Sequence, residues 1–226
     1  MTTQAFLAVL DERIGRYDLL SHPYYKAWSA GELSRDDLRE YASDYYHHVA
    51  AFPACLSAFH SRLEDGELRR AVLRNLSDEE IEGRPHSEMW LDFAEGMGAD
   101  RTVVRQRHPG QHVTDLVDTF RRIAQEGSAL EVLACFYAYE SQVPRIAKTK
   151  AQGLTELYGA DAKTCAYFKL HQFADVEHSR VWRDLLLQEV QANPDEAGAA
   201  LDSAECAARA LWQTLDGMEA RRMAKI

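Results

Sequence analysis

The chain has 226 residues, enough to form one large domain whose core needs no disulfide bonds. Its mean hydropathy of -0.41, with no apolar run approaching about 20 residues, argues against a membrane protein. A formal net charge of -10 repels phosphate backbones, which excludes nucleic acid as a main partner. Because Asp11 and Glu12 stand where a signal peptide needs its apolar centre or cleavage site, we expect a cytoplasmic protein.

The first part of the chain is predicted to be helical. An amphipathic segment over residues 3–16 is followed by a turn and a short aromatic helix. Ser34 and Asp37 have the spacing of a capping box, with acidic residues in the first helical turn. They predict the start of a long helix that reaches about residue 63 and is bent at Pro53.

The rest of the chain is also predicted to be helical. Residues 67–96 are helical on both sides of a break at Gly83 to Pro85, and residues 99–110 form a connector. Further helices are predicted over 114–125, 129–158, 161–192 and from the Asn193–Pro194 break to about Met223. No strand alternation, repeat or linker interrupts them. We therefore expect an all-α fold of about seven helices, with residues 1–226 in one domain.

The segment KLHQFADVEHSRVW contains the strongest functional pattern. His171, Asp175 and His178 are four and seven residues apart, so on a helix they lie on one side. Two imidazoles and a carboxylate suit iron, manganese or zinc. Apolar residues around this row indicate that it faces the core: Phe168, Leu170, Phe173 and Val176. The alternative is an exposed His–Asp pair worth a few tenths of a kcal/mol.

Glu140 follows an apolar run and is the second candidate ligand. A buried carboxylate needs a cationic partner, a metal or a raised pKa. Arg145 and Lys148 on the same predicted helix are the alternative partners, but neither lies among the apolar residues. We therefore predict that Glu140 binds a metal.

The third candidate set lies in NLSDEEIEGRPHSEMW. His86 follows a cluster of acidic residues, and Gly83 with Pro85 would let the helix bend between them. The spacing alone does not decide which of these acids would bind a metal together with His86. The whole cluster also fits a solvent-exposed acidic face of a helix: Asp78, Glu79, Glu80 and Glu82. With Glu79, three carboxylates and three imidazoles on three helices form a set that suits a two-metal centre inside a helical bundle.

The order and spacing of E79-x6-H86, E140 and H171-x3-D175-x2-H178 resemble the haem-oxygenase-like di-metal oxidases and oxygenases. The pattern is most similar to the CADD family (chlamydia protein associating with death domains), whose fold is like that of TenA and PqqC. The likeness extends from about residue 20 to 190. The resemblance implies a haem-oxygenase-like helical fold and a homodimer. It also implies that these six residues bind two metal ions, either two irons or one manganese and one iron. O2 and an external reductant would be the co-reactants.

The resemblance also implies unusual chemistry. CADD-type proteins are associated with forming p-aminobenzoate for folate from their own side chains, a tyrosine supplying the ring and a lysine the amino group. The matching positions are Tyr25 and Lys150. The residues themselves leave Tyr24 and Lys148 open as alternatives. Two further tyrosines match positions beside the metal site: Tyr41 and Tyr139.

Three other functions compete with this one. A di-metal oxidase that repeatedly turns over an external amino acid or fatty acid requires a roomy pocket with recognition groups. A metal-free TenA- or PqqC-like enzyme would use the histidines as acid–base groups. A non-enzymatic helical adaptor has no reason to bury several carboxylates and histidines together. Since none of the four cysteines lies in a nucleophile motif, the TenA-like alternative has little support.

Overall fold

The computed structural model describes residues 2–225, and helices account for most of them. These residues contain no β-strand and no helix long and apolar enough to cross a lipid bilayer. The helices are α1 (Thr3–Gly15), α2 (Pro23–Ala30), α3 (Arg35–Arg62), α4 (Glu67–Glu80), α5 (His86–Gly96), α6 (Arg101–Gln106), α7 (Gln111–Glu126), α8 (Ala129–Glu140), α9 (Val143–Glu156), α10 (Ala166–Ala192) and α11 (Ala197–Met223).

The all-α prediction is confirmed, but the expected seven helices become eleven within residues 2–225. The predicted helix over 129–158 divides after Glu140 into α8 and α9. Pro144 occupies the first turn of α9, where a proline favours the start of a new helix. The connector over 99–110 contains α6, whose first amide groups are capped by the Asp100 side chain.

Reciprocal caps mark the starts of α3 and α8, and the one predicted at Ser34 is confirmed. Ser34 accepts a hydrogen bond from the Asp37 amide, and the Asp37 carboxylate accepts one from the Ser34 amide. Ser128 and Glu131 form the same reciprocal pair at the start of α8. These contacts satisfy amide groups that a helix start leaves unpaired, and they set where α3 and α8 begin.

Helix α8 lies at the centre of the bundle. Ten of its residues are buried, from Leu130 to Glu140 with only Glu131 partly exposed. It packs against α7, α10 and α11, while α3 meets it through aromatic side chains such as Phe52 against Phe136. Because α8 is apolar on nearly every face, its last residue, Glu140, is held deep in the bundle.

Asp44 is a fully buried carboxylate that joins three parts of the fold. It lies on α3 and accepts a hydrogen bond from the Gly110 amide before α7, at 3.2 Å. His112 on α7 and Arg221 near the end of α11 also contact its carboxylate. Burial alone would raise the pKa of Asp44, but these hydrogen bonds and the positive charge of Arg221 hold it well below its usual value.

We predict that Asp44→Asn lowers the free energy of unfolding at pH 7 by about 2 kcal/mol, because charge-assisted hydrogen bonds are lost in a buried place. A carboxylate with a lowered native pKa stabilises the fold above its unfolded pKa, near 4, and loses this effect as the pH falls. Urea titrations should therefore show that the difference in free energy of unfolding between the unmodified protein and the Asp44→Asn variant becomes smaller below about pH 4. The matched variant at the exposed Asp65 should change stability by less than about 0.5 kcal/mol, and an equal loss there would contradict this assignment.

Candidate metal centre and tyrosine–lysine cluster

The break between α4 and α5 brings Glu79 and His86 together. Helix α4 ends at Glu80 and α5 begins at His86, with Gly83 in a left-handed conformation (φ 76°) between them. This change of direction removes the separation that a continuous helix would impose. As a result, Glu79 Oε2 lies 2.9 Å from His86 Nδ1. The prediction that Gly83 and Pro85 interrupt the helix is confirmed.

The predicted ligands form two groups of three. Glu79, His86 and His171 make the first triad, in which one potential ligand atom of each lies within 4.8 Å of the others. Glu140, Asp175 and His178 make the second triad, by the same measure. All six side chains are buried. Helix α10 supplies both groups, since its row of three polar residues passes from one triad to the other.

The histidine rings are oriented by their outer nitrogens. His171 Nδ1 lies 2.8 Å from the backbone oxygen of Tyr167, and His178 Nε2 lies 2.9 Å from Asp78 Oδ2. A nitrogen that donates to such an oxygen leaves the other nitrogen of the ring with its lone pair for a metal. His86 Nδ1 and His178 Nδ1 are buried beside carboxylate oxygens yet have no aligned hydrogen-bond partner. This donor set fits two metal ions.

Glu140 is held by two residues that sequence reasoning missed. Asn75 Nδ2 donates to Glu140 Oε1 at 3.1 Å, and the Trp182 indole N–H donates to Oε2. Burial raises the pKa of Glu140 above its usual range, and His178 opposes this shift. Spacing could have identified both residues, because Asn75 precedes Glu79 by four and Trp182 follows His178 by four.

The surroundings of α10 differ from the expectation. The row of His171, Asp175 and His178 is buried, and Phe168 is buried beside it. Phe173, however, is 72% exposed, Val176 is 55% exposed and Leu170 is 38% exposed. The apolar neighbours therefore do not mark the core face of this helix. Glu140 likewise forms no pair with Arg145, which contacts Asp18 instead.

A second cluster contains the predicted tyrosine and lysine. Lys150 Nζ donates to Tyr25 Oη at 2.8 Å and also to Tyr41 Oη, and the two hydroxyl groups are 3.0 Å apart. Tyr24 instead donates to the backbone oxygen of Asp37, and Lys148 is exposed. The structure thus brings Tyr25 and Lys150 together, and not their neighbours in sequence.

Lys150 is only 4% exposed. The break after Glu140 places it on α9. Its amine lies 4.2 Å from the ring centroid of Tyr25 and 4.4 Å from that of Tyr41. Burial holds the pKa of Lys150 well below its usual value, which favours the uncharged amine.

All four predicted tyrosine and lysine positions line one cavity of about 30 Å³: Tyr25, Tyr41, Tyr139 and Lys150. Apart from these hydroxyl and amine groups its walls are mostly apolar, with Leu19, Val143 and Ile146 among them. Tyr139 also packs its ring against His48, with centroids 4.9 Å apart. A cavity of this volume has room for very small molecules such as water or O2.

A series of aromatic rings connects the two clusters. Tyr41 stacks on Tyr45 with centroids 5.4 Å apart, and Tyr45 meets Trp90 at 5.4 Å. Trp90 in turn meets Tyr167 at 4.9 Å, and Tyr167 stacks on His171 at 3.9 Å. The rings therefore form a continuous path from Tyr41, beside Lys150, to a residue of the first triad.

Comparison with known proteins agrees with this geometry. Residues 39–212 match the model of a protein family described as iron-containing redox enzymes. The chain belongs to this family. The enzyme is 36% identical over 212 residues to the 4-aminobenzoate synthase of Chlamydia pneumoniae, covering 93% of each chain. Enzymatic function and metal cofactors are therefore shared with the family, as the sequence predicted.

Solved structures confirm the predicted fold. A TenA homologue from Pseudomonas syringae pv. tomato aligns with a TM-score of 0.80 at 14% identity, covering 100% of this chain and 96% of that one. A CADD-like protein of unknown function from Nostoc punctiforme aligns with a TM-score of 0.71 at 15% identity, covering 98% and 97%. At these identities the likeness describes the architecture, which is the haem-oxygenase-like bundle.

We predict that the enzyme binds two divalent ions per chain and that Asp175→Asn reduces this to about one, because the second triad loses an anionic ligand. Equilibrium dialysis against Fe(II) without oxygen, followed by metal analysis, measures the ratio. Asp184→Asn changes an exposed carboxylate on the same helix and should leave the number of bound ions per chain unchanged. Equal binding by the Asp175 variant and the unmodified enzyme would contradict the assignment of the second triad.

Proposed function

We propose that the enzyme forms 4-aminobenzoate from its own side chains, with Tyr25 supplying the ring and Lys150 the amino group. The observation that carries this proposal is the contact of 2.8 Å between Lys150 Nζ and Tyr25 Oη beside a cavity of about 30 Å³. Pockets for small-molecule ligands usually measure about 300–1,000 Å³. The space beside Tyr25 is thus far too small for an amino acid or fatty acid.

The carbon skeleton of the product supports a tyrosine source. In 4-aminobenzoate a nitrogen and a carboxyl carbon stand para on one ring, as the hydroxyl group and Cβ do in tyrosine. Its formation from Tyr25 would break the Cα–Cβ bond and oxidise Cβ to the carboxylate. The phenolic C–O bond would be replaced by a C–N bond to the Lys150 nitrogen, whose Cε–Nζ bond would break. The phenolic oxygen would leave as water, position 25 would be left as a glycine residue with a hydrogen on Cα, and Cε of position 150 would become an aldehyde. Two molecules of O2, with two electrons and two protons from an external reductant, would balance this change and release a second water.

Lys150 is suited to the role of nitrogen donor. An amine attacks carbon only through its free lone pair, and burial without a contacting carboxylate favours the uncharged form. Hydrogen bonds to two tyrosine hydroxyl groups hold Nζ beside the ring carbon that carries the Tyr25 oxygen. Tyr41 would thereby position the amine and help to exclude water.

The two triads would hold the metal ions, which would supply O2 activation when bound. The first triad offers two imidazoles and one carboxylate, and the second offers one imidazole and two carboxylates. Nitrogen ligands suit iron, and oxygen ligands suit manganese. Of the Fe/Fe and Mn/Fe pairs, this asymmetry favours Mn/Fe, with iron in the first triad. The aromatic path from His171 to Tyr41 would then allow oxidation of the cluster at a distance.

The other functions have weaker support. An external substrate lacks room in the tyrosine cavity. A metal-free TenA-like reaction leaves unexplained why all six predicted ligands are buried in two triads. A purely adaptor role is at odds with membership of a redox-enzyme family. The single domain, the homodimer and the cytoplasmic location expected from the sequence stay predictions.

We predict a change confined to two residues when the metal-loaded enzyme reacts with O2 and a reductant. Intact mass and peptide mapping should show loss of side-chain mass at Tyr25 and a change at Lys150, with at most about one 4-aminobenzoate per chain. The reason is that a consumed side chain allows a single turnover. An unchanged mass together with continuing O2 consumption would overturn self-consumption and favour an external substrate.

Matched variants separate the two residues from their neighbours. Tyr25→Phe and Lys150→Arg should each abolish product, because the first removes the phenol and the second replaces the uncharged amine by a permanently charged group. Tyr24→Phe and Lys148→Arg should retain product formation. The Tyr24 hydroxyl group bonds to the backbone oxygen of Asp37, and phenylalanine keeps the ring that stacks on Tyr41. Lys148 is exposed. Product formation by Tyr25→Phe at the unmodified level would refute the proposed ring source.

We predict that Trp90→Leu slows product formation at least about tenfold, equivalent to a barrier raised by about 1.4 kcal/mol. The change removes the indole between Tyr45 and Tyr167. The connection that stays runs through Phe168, whose ring is harder to oxidise than an indole. Trp90→Phe keeps an aromatic ring at this position and should slow product formation less than Trp90→Leu does. Both variants should bind the same number of metal ions as the unmodified enzyme. Single-turnover assays with metal analysis make the comparison, and equal rates for the Leu and Phe variants would exclude a role for the ring.

A further inference from the structure

Two neighbouring carboxylates on α4 have different environments. The side chain of Glu79 is 7% exposed and belongs to the first triad. That of Asp78 is 43% exposed, and its Oδ2 lies 2.9 Å from Nε2 of His178 in the second triad. Adjacent helical positions point about 100° apart, which explains how one turn of α4 reaches both triads. Asp78 contacts a ligand residue without itself belonging to either triad.

This contact determines which nitrogen of His178 faces the second triad. With Nε2–H donating to Asp78, the lone pair belongs to Nδ1. His178 Nδ1 lies 3.3 Å from Asp175 Oδ1 and 4.0 Å from Glu140 Oε1, and it has no aligned hydrogen-bond partner. A carboxylate on the outer nitrogen fixes the ring and makes the inner nitrogen a better donor to a metal.

Asp78 stands in a solvent-facing cleft between α4 and α10. The cleft has a volume of about 190 Å³, and its walls include Asn75 and Trp182, the two residues that hold Glu140. His178 is the one ligand residue among its lining residues, and the first triad contributes none. Replacing Asp78 therefore alters a wall open to water and leaves no cavity in the core.

We propose that Asp78 is a positioning residue for the second metal position, and that it acts by fixing the His178 ring with Nδ1 toward Asp175 and Glu140. This inference rests on the proposed metal centre. Carboxylates in this position typically contribute a factor of 10–100 to metal affinity. Asp78 has no corresponding contact with the first triad, so its effect should be confined to one of two ions.

The test is a titration of the metal-free enzyme with Co(II), followed by visible absorption and equilibrium dialysis. Unmodified enzyme should bind two ions, and the step lost in Asp175→Asn identifies the second position. Asp78→Ala should weaken that same step about 10–100-fold and leave the other unchanged. Asp78→Asn should keep part of the affinity, because its amide oxygen still accepts a hydrogen bond from Nε2–H but carries no charge. Glu80→Ala, an exposed acid two residues away, is the control and should have no effect.

Each outcome decides one question. Failure of the unmodified enzyme to bind two ions would overturn the proposed centre itself, whatever Asp78 does. With two ions bound, an unchanged second step in Asp78→Ala would overturn the positioning role. Equal weakening of both steps would overturn it as well, because that result indicates a change in the whole fold. An Asn variant as weak as the Ala variant would show that the charge of Asp78, and not its orientation of His178, is what matters.

Discussion

The structure depends on burying three carboxylates and three imidazoles together at the centre of a helical bundle. Uncompensated, such a set is costly, because each charged or polar group loses its hydration. Two divalent ions at the proposed positions would offset that cost and would couple metal binding to the stability of this region. The helices that carry the ligands, α4, α5, α8 and α10, are then constrained to meet at their ends or along one face.

This constraint gives the molecule two different sides. Toward the first triad the core is aromatic, and a series of contacting rings extends from His171 to the cluster around Lys150. Toward the second triad the core opens into a cleft, where Asp78 contacts His178. In the proposed function, O2 would therefore react near the tyrosine–lysine cluster, while the cleft on the opposite side would give water access to the second triad. The small tyrosine cavity fits a protein whose substrate is already in place.

Much of this was predictable from sequence because the signals are local. The row of His171, Asp175 and His178 follows from helical periodicity, and the caps at Ser34 and Ser128 follow from hydrogen bonds within one turn. Glycine and proline between Glu79 and His86 predicted the break between α4 and α5. The choice of Glu79 among its acidic neighbours and the tyrosine–lysine pair came from resemblance to a family, since no local rule selects them.

The sequence by itself determined an all-α chain with one helix presenting a row of candidate metal ligands, because those features depend on neighbours within a few residues. Only the tertiary structure decided which partners meet across helices. It put Glu79 in the first triad and left Asp78 outside both triads. It also brought Asn75 and Trp182 within hydrogen-bond distance of Glu140. Finally, it buried Lys150 in contact with Tyr25. It also exposed Phe173, whose apolar character indicated the core. Such choices depend on the packing of residues distant in sequence, which periodicity along one helix does not specify.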